Sequence, residues 1–392
     1  MKKWLFFLII FTFFSLLSIN LNSKIYVLAD SQNQDLTQSV ENQLENLDLS
    51  SLENIINTYN KEFAFIENDL KSTLKNIING EISFDYKNIF NFIFSLLTNN
   101  IKNFLPIFVS IIGIGILLSL LKEFNLTKRE DISNIINLAF SGFIIIICVV
   151  YISKFITLTK ETLIGINNQM FSIFPILFTI MTAIGSSKSV TFFQPVIAFV
   201  CNFIVKFVIN FLLPIVILSL VFTICSNLSS NLKLNKLNNF LLNFFKWCLG
   251  LTLTIFMSFV SIQSLTVSTF DSISISAAKF TMRSLIPFVG GFISDSFNII
   301  LGGSILIKNA LGLTGLILIF SSLIVPIISI LCFKFGLEIT SGLLEPICDN
   351  FVSEFLVKMS KLLTILISII IVCGIMYLII TATIMSTANV LR

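Results

Sequence analysis

The sequence predicts an all-α protein: a polytopic helical membrane protein with a small helical extracytoplasmic domain at its N-terminus. Three observations carry that expectation. The 392 residues are 55% hydrophobic and only 12% charged, the chain opens on a short basic then apolar stretch, and its polar residues gather in one block ahead of a series of long apolar runs. Runs of roughly 18 apolar residues are long enough to cross a bilayer core.

What the chain lacks narrows its chemistry. It has no histidine, which removes Ser-His dyads, His-based zinc or haem sites and His proton relays together. It has no GxxxxGK[ST] loop and so no visible means of hydrolysing a nucleotide. The expectation is a non-enzyme without metal or cofactor, driven by a gradient or by a partner. Seven cysteines, Cys148, Cys201, Cys225, Cys248, Cys332, Cys348 and Cys373, show no CxxC and avoid the polar block, so they read as small apolar side chains.

In chain order, Met1-Lys2-Lys3 and the run WLFFLIIFTFFSLLSI form the basic and apolar parts of a secretory signal peptide, residues 1–29. Val27-Leu28-Ala29 offers its cleavage site, and an uncleaved anchor is the alternative. Either form puts the next segment outside the cytoplasm. That segment, 30–103, has eleven acids against five lysines, a net of −6. Leu52, Ile55, Ile56, Tyr59, Phe63, Ile66, Leu70, Leu74 and Ile77 recur at helical spacing and make one apolar face. Ser50 and Glu53 have capping-box spacing, and Asn79-Gly80 is a helix stop. Its acidic face reads as a solvated surface.

Residues 104–392 then form the transmembrane domain, about eight spans plus a re-entrant or interfacial segment near 285–305. The apolar segments are 104–121, 132–152, 170–187, 190–206, 207–225, 247–265, 285–305, 309–333 and 361–386. The run 190–225 is too long for one span and contains Lys206 and Pro214, which argues for two. That split gathers KEFNLTKRED, SNLSSNLKLNKLNNF and Lys246 on the cytoplasmic side, as the positive-inside rule prefers, whereas Lys279 and Arg283 fall outside and oppose it.

The stretch LIPFVGGFISDSFNIILGGSILIKNALG, 285–312, concentrates what lipid tolerates least: Pro287, Gly290-Gly291, Asp295, Gly302-Gly303 and Lys308. Glycine pairs and proline are where helices break, and irregular backbone at membrane depth must line a cavity or pack within protein. One reading is a broken, re-entrant element that lines a polar path, with Asp295 facing water or a partner charge. The other is a membrane-surface helix followed by glycine-mediated helix packing. A re-entrant segment would place Arg392 outside. Lys206 either snorkels or marks a hairpin turn, or pairs with Asp295.

The block AAKFTMRSLIPFVGGFISDSFNIILGGSILIKNALGLTGL, 277–316, preceded by IQSLTVS, resembles the stage III sporulation protein AE family of endospore-forming bacteria. FPILFTIMTAIGSSKSVTFFQPV (174–196), LKLNKLNNFLLNF (232–244) and the order of signal peptide, acidic ectodomain and spans extend the likeness over essentially the whole chain. One departure is Cys348 in LLEPICD, where the family pattern leads one to expect glycine. The resemblance implies a mother-cell protein in the membrane around the forespore, a subunit of a channel complex needed for late forespore gene expression. The partners it implies are other stage III A proteins, namely the AA ATPase and the ring-forming AG and AH, with stage II protein Q across the intermembrane space. No nucleic acid is implied, and a homo-oligomer is left open. Two functions remain at this point, a conduit-forming subunit and a scaffold that anchors the rings and the ATPase.

Overall fold

The structure, a computed structural model, describes residues 31–45, 47, 49–50, 52–53, 70–79, 86–123, 130–228, 234–285, 290–348 and 350–386. The backbone of 263–285 and 290–298 is described without side chains. The expected signal peptide, Pro287 and Arg392 lie outside these residues.

Two short helices come first, α1 (Ser31–Glu45) and α2 (Leu70–Ile78). Long helices follow: α3 (Tyr86–Glu123), α4 (Glu130–Ala183), α5 (Ser187–Phe207), α6 (Leu213–Leu228), α7 (Asn235–Leu285), α8 (Gly290–Leu344) and α9 (Asn350–Ser386). A π-helical turn, Val208–Leu212, joins α5 to α6 without interrupting the rod. The all-α expectation is met, and six helices among the described residues are long and apolar enough to cross a membrane.

Six helices thus carry the nine apolar segments, and where segments fuse, a feature that looked like a boundary lies inside a helix. Segments 132–152 and 170–187 fuse into α4 because the polar linker between them is satisfied inside the bundle. The Thr159 and Thr162 hydroxyls donate to carbonyls one turn back, and Asn167 and Gln169 are buried against other helices. Segments 190–206 and 207–225 are one rod. Pro214 has no N–H to give, and the backbone widens just before it, with the Leu213 N–H donating to the Val208 carbonyl. Lys206, exposed in the last turn of α5, therefore marks no hairpin. Residues 290–305 and 309–333 share α8.

Where the chain does turn sharply, the cause is local. Gly185 has φ 92°, and the Ser186 N–H reaches the Met181 carbonyl while the Gly185 N–H reaches that of Thr182. This is the glycine-ended helix stop that a left-handed residue permits.

Helix α8 is the spine, packing on α9 first, then on α4, α3 and the two N-terminal helices. Its middle is filled by aromatic rings. Phe333 lies 5.2 Å from Phe104, 5.4 Å from Phe108 and Tyr151, and 5.1 Å from Phe155, ring centre to ring centre. Gly336 leaves room for Phe108, whose ring atoms would lie 2.0 Å from any Cβ placed there. The apolar parts of α4 and α8, 138–183 and 299–344, are 46 residues each. At roughly 1.5 Å per residue each is about 69 Å long, more than twice a bilayer core of about 30 Å.

Candidate functional site

The N-terminal half of α8 is a docking face for the chain's own N-terminal helix α1. Helix α1 is mostly polar, yet it buries Val40 and Leu44, and it comes close enough for Ser39, Val40 and Gln43 to lie 3.3–3.5 Å from where a Gly303 Cβ would be. Gln43 then bridges, its Nε2 donating to the Ile300 carbonyl at 3.3 Å and its Oε1 accepting from the Ser304 hydroxyl at 2.8 Å. A Lys75–Glu41 ion pair at 2.8 Å ties α2 to α1. Beside this seam opens a cavity of about 630 Å³, lined by Gln38, Asn42, Thr179, Ala183, Ser304 and Ile307 among others.

Lys308 lies one turn deeper and is fully buried. Two helix ends lie near this level of α8. Gly312, one turn on, faces Met385 near the end of α9, and Ile307 shares the cavity wall with Ala183 at the end of α4. Two helix C-termini thus converge on this level of α8, and their carbonyl ends carry partial negative charge.

Further along α8, polar side chains continue through the apolar interior. Gln169 Nε2 donates to the Ser322 hydroxyl at 2.7 Å, and the Tyr377 hydroxyl donates to Asn167 Oδ1 at 2.9 Å. Thr381 lies one turn from Tyr377, buried beside the Met170 sulfur. Two buried acceptors, Gln169 Oε1 and Asn309 Oδ1, have no hydrogen-bond partner among the described residues. Unmatched buried acceptors in a native core call for an explanation, and a passing donor is one. No three His, Cys, Asp or Glu side chains converge as a metal site among the described residues.

The residues singled out in the sequence separate under this geometry. Gly290 opens α8, and Gly291 and Asp295 lie in its first turns with side chains outside the description. Gly302 and Gly303 sit inside an unbroken helix, so no second break forms at this pair. For Gly303 the missing Cβ serves the approach of α1 instead, as in the packing alternative. Lys308 joins the α8 seam; Lys206 is exposed on α5. Sequence reasoning passed over Asn167, Gln169, Ser322, Tyr377 and Thr381. The signal for two of them was present, since GINNQMF places three amides in an otherwise apolar run.

No solved structure matches the chain. A curated relative, stage III sporulation protein AE of Bacillus subtilis (strain 168), is 24% identical over 326 residues, covering 81% of this chain and 80% of the relative. The family model for stage III sporulation protein AE matches residues 68–388. That span takes in every long helix and leaves out α1, and it is broad enough to decide the family: the chain belongs to the stage III sporulation protein AE family.

Proposed function

We propose that this sporulation membrane protein is a subunit of the channel or secretion complex between mother cell and forespore, and that it forms or lines the transmembrane conduit. In this reading it sits in the mother-cell membrane around the forespore, its N-terminal domain faces the intermembrane space, and late forespore gene expression depends on it. The AA ATPase engages its cytoplasmic side, and AG, AH and stage II protein Q lie across from the ectodomain. The observation that carries the conduit is the pair of unpartnered acceptors on the α8 seam. Gln169, held by Ser322, and Asn309 are separated by about 20 Å along α8 (13 residues), so the interior offers spaced polar stations.

A scaffold is the second reading, favoured by α1 filling the Gly303 face and by the ring cluster around Phe333 filling the middle of the bundle. Single cysteines at Ser304, Asn309 and Ser322, in a chain lacking the seven native cysteines, separate the two. Labelling of all three by a membrane-impermeant thiol reagent in sporulating cells supports the conduit. Protection of Asn309 and Ser322 while Ser304 reacts sinks it and leaves the scaffold.

A further inference from the structure

The bundle has a charged waist. The Phe333 ring cluster sets Phe104, Phe155 and Phe333 at one height. Lys102, two residues before Phe104, Lys154, one before Phe155 on the antiparallel α4, and Lys334, one after Phe333, are therefore level to within about 5 Å at roughly 1.5 Å of rise per residue. Two more helices reach the same height. The Ser360 hydroxyl donates to Glu338 at 3.1 Å, one turn from Lys334, which brings Lys358 and Lys361 of α9 alongside. Lys358 Nζ donates to Asn235 at 3.3 Å, which brings Lys236 of α7. Six lysines from five helices thus fall within about 12 Å of one another in height.

The acids nearby do not cancel them. Glu338 pairs with Lys334 at 3.3 Å and Glu354 with Lys358 at 3.8 Å, and Glu161 lies about two turns from Lys154, beside Lys160. Lys102, Lys154, Lys236 and Lys361 are all exposed. Lys154 lies over the Tyr151 ring at 4.7 Å and Lys334 over Phe335 at 4.8 Å, the aromatic and basic company found at a membrane–water boundary.

Height decides what the band is for. From Ser304, at the α1 seam, to Lys334 is 30 residues of α8, about 45 Å, which equals a whole bilayer with its headgroups. Beyond the band, α3 runs on from Phe104 to Glu123 for about another 29 Å, apolar for most of that length. One bilayer core cannot hold both zones, so a boundary falls between them, where the lysines stand.

We infer that this waist is a binding belt for anionic phospholipid headgroups, the phosphodiester seated between lysines of neighbouring helices and the acyl chains against the exposed apolar surface beside it. The belt serves conduit and scaffold alike, so its failure would leave the choice between them untouched. The test uses the full-length protein purified in detergent, with native mass spectra and thermal midpoints read as phosphatidylglycerol, phosphatidylcholine or glycerol 3-phosphate is added. Phosphatidylglycerol should stay bound and raise the midpoint, and the other two should not. The triple variant Lys102→Gln, Lys154→Gln, Lys361→Gln should bind phosphatidylglycerol about a hundredfold more weakly, at the usual worth of a basic residue near an anionic surface. Should that variant fail to fold, the triple Lys→Arg variant must retain binding and the wild-type affinity must fall with salt. Equal binding of phosphatidylcholine, undiminished binding by the Gln variant, or salt-independent binding overturns the belt. A full response to glycerol 3-phosphate alone reduces it to a soluble-phosphate site and overturns the lipid assignment.

Discussion

Helices α9 and α3 are both apolar enough to cross a membrane, yet they are built for different neighbours. In α9 the most apolar window is 61% buried within the chain; in α3 the figure is 17%. The glycines follow the same division. Gly312, Gly315 and Gly336 of α8 and Gly374 of α9 each have a neighbouring side chain where a Cβ would go, whereas Gly113 of α3, Gly142 of α4 and Gly250 of α7 face open space. Two exceptions respect the rule from the other side: Gly115 of α3 points inward at Leu344, and Gly342 of α8 points out. Glycine in a membrane helix thus has no single meaning. Inside α8 and α9 it is the hollow of a finished interface, and on α3, α4 and α7 it is a face that lipid or another subunit can approach.

The sharpest way to break this contrast is to ask whether the loosely packed helices cross at all. If all six long helices cross and the N-terminal helices lie outside the cytoplasm, as proposed, Arg392 lies outside with them. A reporter active only in the cytoplasm, fused after Arg392, should then be dark, and a bright colony would mean that one outer helix does not span. Next in size is Gly336→Ala. The new methyl meets a Phe108 ring that Phe333 holds from the other side, and the loss should be about 1–3 kcal/mol of stability, read as a lower thermal midpoint in detergent.

Lys308→Met should follow closely. It keeps the apolar stem but removes the cation from the place where α4 and α9 end, a loss of about 2 kcal/mol in a buried helix-terminus setting. An unchanged midpoint would mean that its charge does no stabilising there. Tyr377→Phe removes the hydrogen bond to Asn167 and should cost about 1 kcal/mol, since such bonds inside membranes are modest. Gly142→Ala is the smallest and has the opposite sign. With nothing within 4 Å, a methyl should stabilise the helix by up to about 1 kcal/mol through propensity. If Gly142→Ala leaves the midpoint alone yet abolishes sporulation, this face is occupied by a partner in the cell.

Much of this protein was decided by composition and local pattern. The all-helical membrane class follows from apolar run length, because an apolar segment in lipid must satisfy its backbone internally and the helix does so without partners. The stop at Gly185 follows from a residue that accepts positive φ. The apolar face of the N-terminal segment carrying Leu52, Leu70 and Leu74 was legible from its period, and all three are buried. Where the long helices end was not legible. A polar linker, a proline and a glycine pair look alike in sequence whether they end a helix or lie within one, and the difference rests on distant partners: Ser322 for Gln169, a widened turn ahead of Pro214, and α1 for Gly303. The lysine waist was hidden for the same reason. Its members are scattered from 102 to 361, and only the packing of five helices around Phe333 and Glu338 brings them within about 12 Å in height.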